Sequence, residues 1–202
     1  MKLILSSCDF LNEKSKQTII DNIDKPLNDN KVLFIPNEKY EESKINKYYD
    51  RLKRDGFDNK DNIYIFDYDN PDKYRNLNLD LIYIGGGNTF ATLDKLRKSD
   101  FCKDVINYVK KGVIYIGGSC GALLATKNIK HIESLDNNYV GITDYDALNL
   151  TNILLIPHYD AEEYNRVERN RVYQELLKNN DNVYTLTNSQ SLVITDNFIK
   201  KI

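Results

Sequence analysis

One stretch constrains this chain more than any other: Gly117-Gly118-Ser119-Cys120-Gly121. An apolar run, Val113-Ile114-Tyr115-Ile116, precedes it, and a helix-forming run, Ala122-Leu123-Leu124-Ala125, follows. A strand, a turn of small residues and then a helix is the setting of a nucleophile elbow with the pattern G-x-S-x-G. The turn is tight, so the residues flanking the nucleophile must be small. It holds the serine at a strand end, above a helix N-terminus, where backbone N–H groups can receive a developing oxyanion. The same residues also suit a glycine-rich strand-to-helix turn with an incidental serine, so the rest of the chain has to decide.

Runs rich in β-branched and aromatic residues recur along the chain and read as strands. They lie at 2–7, 31–36, 62–67, 79–84, 112–118, 152–158 and 182–186, with a closing hairpin formed by 191–195 and the last residues around Asp196-Asn197. Helical patterns lie between them. Residues 12–24 have Asn12 as N-cap and Ile19, Ile20 and Ile23 on one face. Residues 40–54 are apolar at Tyr40, Ile45, Tyr48, Tyr49 and Leu52, and Gly56 stops them. Helical segments fill most of 88–111, broken near Ser99-Asp100, and another covers 161–178. Residues 129–148 read as a small hairpin or an irregular excursion. The alternation predicts an α/β fold in one domain, 1–202: a doubly wound, mostly parallel sheet with helices on both faces.

Composition narrows the class. The 202 residues are 41% hydrophobic and 29% charged, which is globular rather than disordered. A net charge of −2 without a basic block leaves no nucleic-acid footprint. The cysteines, Cys8, Cys102 and Cys120, are scattered and odd in number. They form neither metal spacing nor a disulfide framework, which points to a reducing compartment, the cytoplasm. The opening run is broken by Asp9 and reads as a first strand rather than a signal segment. No stretch approaches the ~20 apolar residues of a membrane span. Neither a metal nor an organic cofactor is expected.

Ligands of parallel α/β sheets sit beyond the carboxyl ends of the strands. Three features fall at such ends: Gly85-Gly86-Gly87-Asn88, Ser119 and His158. A serine nucleophile needs a base, and histidine is the usual one. The chain has two histidines; His131 lies in a polar stretch and reads as a surface residue, which leaves His158. A glycine loop lets backbone N–H groups approach a substrate oxygen. The N–H groups of Gly87 and Cys120 would make a two-donor oxyanion hole, each donor giving ~3 kcal/mol in a typical hydrolase. The other reading is a turn that needs glycine for its torsions, with Asn88 as N-cap.

The segments Gly85-Gly86-Gly87-Asn88-Thr89-Phe90, Ile114 to Ala122, and Pro157-His158-Tyr159 resemble the dipeptidase E family in order and spacing, over roughly residues 30–195. These are serine peptidases, also called α-aspartyl dipeptidases, with a fold like that of class I glutamine amidotransferases. The resemblance implies Ser119 as nucleophile, His158 as base, and Gly87 with Cys120 as oxyanion donors. It implies a small peptide substrate, such as a dipeptide with an N-terminal aspartate; relatives process β-aspartyl-arginine chains. An arginine of the 161–178 helix would pair with the substrate carboxylate, Arg169 matching best, with Arg171 and Arg166 nearby and Asn88 as a further contact. The protein would act as a monomer or homodimer.

Departures from the family pattern leave alternatives open. Cys120 stands where the family has alanine, so Cys120 is a rival nucleophile, as in the amidotransferases, although Gly117 and Gly121 bracket Ser119. The third triad position, a glutamate in one family member, falls at Leu186-Thr187-Asn188-Ser189-Gln190. Asn188 would orient the imidazole without supplying charge. Asp136, Asp146 and Asp160 are the acidic alternatives, and a non-catalytic binding protein of the same fold is the other reading.

Overall fold

In the computed structural model the described residues are 1–37, 42–179 and 182–202. Five apolar runs form the parallel part of a seven-stranded sheet: β1 (Lys2–Ser6), β2 (Val32–Ile35), β3 (Ile63–Ile65), β4 (Leu81–Ile84) and β5 (Ile114–Gly118). The order is β3-β2-β4-β5-β1, continued by β8 (Ser191–Thr195) and β9 (Ile199–Lys201), the closing hairpin, which pair antiparallel.

Strand side chains alternate between faces, and both faces are covered. Ile4, Val32, Phe34, Leu81, Tyr83, Ile114 and Ile116 pack with Ile19 of α1 (Glu13–Asn22) and with Tyr48 and Leu52 of α2 (Ile45–Asp55). Leu3, Leu5, Leu33, Ile35, Ile82, Ile84 and Tyr115 face the opposite layer. There they meet α3 (Thr89–Lys98), α4 (Cys102–Lys110) and α5 (Cys120–Leu124). Each aliphatic side chain buried this way contributes about 2 kcal/mol of transfer free energy. This is the mixed, mostly parallel α/β sheet the alternation predicts.

Local signals set the helix ends. Asn12 caps α1 by accepting the amides of Lys14 and Ser15 at 3.0 and 3.3 Å. Gly56, at φ 114°, ends α2, where a side chain would be strained. Tyr40, read from the sequence as part of that helix, lies outside the described residues.

Three expectations are corrected. The strand expected at 152–158 is shorter, β6 (Leu154–Ile156), and stands apart from the large sheet. It pairs in parallel with β7 (Val183–Thr185) as a second, two-stranded sheet. The edge of β1 that a further parallel strand would need is already occupied by β8. The helix expected over 161–178 is split into a 3-10 turn, Glu162–Tyr164, and α6 (Arg166–Leu177). Asn165, left-handed at φ 56°, makes the break and caps α6 by accepting the amide of Glu168. His131 is not a surface residue: its ring is half-buried, with Nε2 2.9 Å from the Leu155 carbonyl.

Candidate active site

The register of the parallel strands brings the ends of β1, β4 and β5 together: Ser6 lies opposite Gly118 and Ile84 opposite Gly117. Ser119 therefore leaves β5 beside the glycine loop that leaves β4. Its backbone is strained, at φ 47° and ψ −104°. Such a conformation costs roughly 1–3 kcal/mol and persists where the surroundings over-determine it. Here the Ser119 amide donates to the Ser6 carbonyl at 2.8 Å, its own carbonyl accepts from Leu123 at 3.0 Å, and the Gly121 amide donates to the Gly85 carbonyl at 3.3 Å. The small residues are steric requirements. A Cβ at Gly121 would run into the carbonyl of Ile84, and one at Gly87 (φ 156°) into the amide of Asn37.

His158 follows β6 through Pro157 and is also left-handed, at φ 56°. Its Nε2 is 2.9 Å from Ser119 Oγ and its Nδ1 is 2.7 Å from Asn188 Oδ1. With a carbonyl oxygen on Nδ1, the imidazole carries its proton there and turns the Nε2 lone pair toward the serine hydroxyl. The main-chain N–H of Asn188 donates to Asp160 Oδ1 at 3.1 Å. The ring of Tyr164 stacks on the imidazole, 4.1 Å between centroids and 10° from parallel. Burial pushes the His158 pKa below the ordinary 6.5; the Asn188 hydrogen bond works against that shift and the Arg169 charge adds to it. The imidazole is thus neutral near pH 7, the state in which Nε2 can accept a proton.

A pocket of about 120 Å³ opens beside Ser119 and is closed by Gly87, Thr89, Tyr164, His158, Asp136 and Arg169 among others. Arg169 is 6% exposed, and its Nε has no hydrogen-bond partner among the described residues. Burial lowers its pKa, against the raising effect of the Asp136 carboxylate and Tyr164. The guanidinium also lies 5.7 Å from the centroid of the Tyr164 ring.

The remaining candidates separate cleanly. Asp136 is not on the imidazole: its carboxylate accepts from Asn88 Nδ2 and from the Thr89 amide, both at 2.7 Å, and it forms pocket wall instead. The side chain of Asn88 is engaged in that contact and in capping α3 through the Ala91 amide at 2.8 Å. Arg171 lies outside the lining of this pocket; it is exposed and clamped between Glu168 and Glu175. Arg166 lines a neighbouring groove with Tyr159 and Val167. Asp146 accepts from Asn128 Nδ2, away from the pocket. Cys120 is fully buried, its thiol pushed up to about 12 by burial, so it is protonated and its side chain is out of reach. Only its backbone N–H, at the first position of α5 and without a helical acceptor, is left for the site.

Sequence reasoning did not find Tyr164 or Ser7. The Ser7 hydroxyl accepts the His158 amide at 3.0 Å and donates to the Leu186 carbonyl at 3.1 Å. Its place at the carboxyl end of β1 was the available signal.

Residues 2–202 match the family model described as Peptidase family S51. An uncharacterized peptidase of Listeria monocytogenes is 32% identical over 117 residues, covering 57% of this chain and 56% of the relative. Peptidase E of Escherichia coli is 37% identical over 82 residues, covering 41% and 35%. The matched stretch thus spans about half the length of the first relative and about a third of the second. A solved Listeria monocytogenes structure assigned to peptidase E superposes with a TM-score of 0.77 at 24% identity, covering 100% of this chain and 97% of the other. A peptidase from an acI-B1 Actinobacterium gives 0.66 at 16% identity, covering 100% and 86%. At those identities the structural likeness speaks for the fold. Among the described residues no helix is long and apolar enough to cross a membrane, and no cluster of His, Cys, Asp and Glu is arranged to hold a metal.

Proposed function

This chain belongs to peptidase family S51, and from that premise we propose that it hydrolyses small peptides through an acyl-enzyme on Ser119. The observation that carries the reading is the hydrogen-bonded series Ser119–His158–Asn188, at 2.9 and 2.7 Å. Ser119 Oγ attacks the scissile carbonyl and passes its proton to His158 Nε2. The tetrahedral oxyanion is received by the N–H groups of Gly87 and Cys120. The imidazolium returns its proton to the leaving amine, and a water repeats the sequence to release the acyl group. Asn188 keeps the ring oriented without neutralising the imidazolium.

The pocket argues for the substrate class. It joins one guanidinium, Arg169, with one carboxylate, Asp136, in about 120 Å³ next to the nucleophile. An N-terminal aspartate carries the complementary pair: its carboxylate meets Arg169 and its α-ammonium meets Asp136. The reaction would take place in the cytoplasm, consistent with three free cysteines.

A panel of Asp-X, β-Asp-X and neutral-X dipeptides tests both parts. Asp-X hydrolysis is expected in the wild type and absent in Ser119→Ala, with the fold intact. Arg169→Ala is expected to lose preference for Asp-X by about 100-fold, the scale of a charge-assisted bidentate contact. Equal rates on neutral-X would remove the acidic specificity, and full activity in Ser119→Ala would remove the mechanism. The second reading, a non-catalytic binding protein, is favoured by one observation, the amide of Asn188 in place of a carboxylate; silence toward a fluorophosphonate probe would select it.

A further inference from the structure

The nucleophile and its base stand on different sheets. Ser119 leaves β5 of the seven-stranded sheet, whereas His158 and Asn188 follow β6 and β7 of the two-stranded one. Within one sheet the ladder fixes spacing, but among the described residues no ladder joins these two sheets. The 2.9 Å between Ser119 Oγ and His158 Nε2 therefore depends on whatever else crosses between them.

The sheets share a buried apolar layer, and Lys201 Nζ donates to the Thr185 carbonyl at 2.7 Å; beside the nucleophile itself, two consecutive residues at the end of β1 make the crossing. The Ser6 carbonyl accepts the Ser119 amide at 2.8 Å. The next hydroxyl, Ser7 Oγ, accepts the His158 amide at 3.0 Å and donates to the Leu186 carbonyl at 3.1 Å. Leu186 precedes Asn188 by two residues, and its carbonyl also accepts the Tyr159 amide at 2.9 Å. Ser7 is 2% exposed, so water does not compete for these bonds. Both residues it serves are ones whose placement matters: His158 is held in a left-handed conformation, and Leu186 leads into the loop that carries the imidazole's partner.

We propose that Ser7 is a positioning residue for the reaction: its hydroxyl sets the base and the orienting amide in register with the nucleophile. This rests on the reading of Ser119 and His158 as a serine-peptidase pair. Ser7 touches no reacting atom and acts through the main chain of His158 and Leu186. A displacement of the base by 1 Å is enough to cost about 100-fold in rate, so loss of one buried hydroxyl should appear in turnover before it appears in substrate binding.

The test compares wild type, Ser7→Ala and Ser7→Thr on an Asp-X dipeptide and with a fluorophosphonate probe. NMR titration of the two imidazoles accompanies it, the His158 signal identified by its absence in His158→Gln. Ser7→Ala is expected to lower kcat and labelling by about 10- to 100-fold with KM within about twofold. Its His158 pKa should move up toward 6.5 as the ring loosens from its buried position. Ser7→Thr, which keeps the hydroxyl, should recover most of both. The proposal is overturned if folded Ser7→Ala keeps wild-type kcat and an unshifted His158. It is also overturned if Ser7→Ala and Ser7→Thr lose activity and thermal stability alike, which would make the effect one of packing. Should Ser7→Ala not fold, Ser7→Cys takes its place: the weaker thiol bond is expected to give a several-fold loss, and wild-type rate and titration would overturn the role. If the wild type neither hydrolyses nor labels, the peptidase reading fails by itself, and the shift or constancy of the His158 titration still decides what Ser7 does.

Discussion

Asn188 Oδ1 lies 2.7 Å from His158 Nδ1, so the imidazole is oriented by a neutral amide. A carboxylate at this place would do a second thing: it would stabilise the imidazolium that forms as Ser119 loses its proton. Asn188→Asp is therefore expected to raise the pKa of His158 and to speed acylation by at least about tenfold. Single-turnover acylation of an Asp-X ester checks it. A slower variant with an unmoved His158 titration would mean that the amide is not where the charge is wanted. Asp160, whose Oδ1 already accepts the main-chain N–H of Asn188 at 3.1 Å, is the nearby charge that would oppose the change.

In the proposed mechanism the titration of His158 sets the pH dependence. Burial holds its pKa below 6.5, and the base works only when neutral. The plot of kcat/KM against pH should rise along an acid limb with its midpoint below 6.5 and be flat above it. Stability follows the same group. Between the depressed folded pKa and 6.5 the unfolded chain binds more protons than the native one, so stability falls as pH drops through that window. Asp55, pushed up to about 6 by burial, contributes with the opposite sign. The measurement that isolates His158 is thus the difference in unfolding free energy between wild type and His158→Gln across pH 5 to 8. An acid limb centred above 6.5 would contradict the assignment of His158 as a buried neutral base.

How much of this was legible in the sequence depends on how local each determinant is. Strands β1 to β5 are buried on both faces, so each reads as an unbroken apolar run, and their rhythm with the helices implies the parallel sheet. The partner of β6 was not legible, because an apolar run does not say which strand it pairs with. Ser119, His158 and the glycine loop stood out because strand carboxyl ends are where such sites lie. Ser7 meets His158 across 151 positions, a contact no local pattern encodes. Arg169 and Arg171 are two residues apart on α6 and so point about 200° from one another. Apolar residues lie on several sides of that helix, Val167 outward at 83% exposed and Val172 inward at 5%, so the pattern did not reveal which arginine turned toward the pocket.

Cys120 offers a separation of backbone from side chain. Its thiol is buried and protonated, while its N–H stands at the start of α5. Cys120→Ala keeps the N–H and removes only a buried sulfur, so fluorophosphonate labelling of Ser119 should persist within about threefold, and stability should fall by about 1 kcal/mol. Iodoacetamide should leave the wild-type rate unchanged for the same reason. Loss of labelling in Cys120→Ala without loss of fold would return the sulfur to the mechanism.

The glycines around the elbow should not respond alike to a methyl group. At Gly121 the added carbon would overlap the carbonyl of Ile84, with the Ile84 carbonyl carbon at 2.7 Å and its Cβ at 2.9 Å. Strand β4 cannot retreat, because it is hydrogen-bonded to β2 on one side and β5 on the other. Gly121→Ala is accordingly expected to cost about 3 kcal/mol or more. At Gly86 the new carbon would sit 3.5 Å from Ser119 Cβ, ordinary van der Waals contact, so Gly86→Ala should change stability by less than about 1 kcal/mol. Chemical denaturation of the two variants side by side measures the difference. Equal stabilities would mean that β4 and the elbow are not packed backbone to backbone, and that Ser119 is held by something other than the close approach of Gly121 to Ile84.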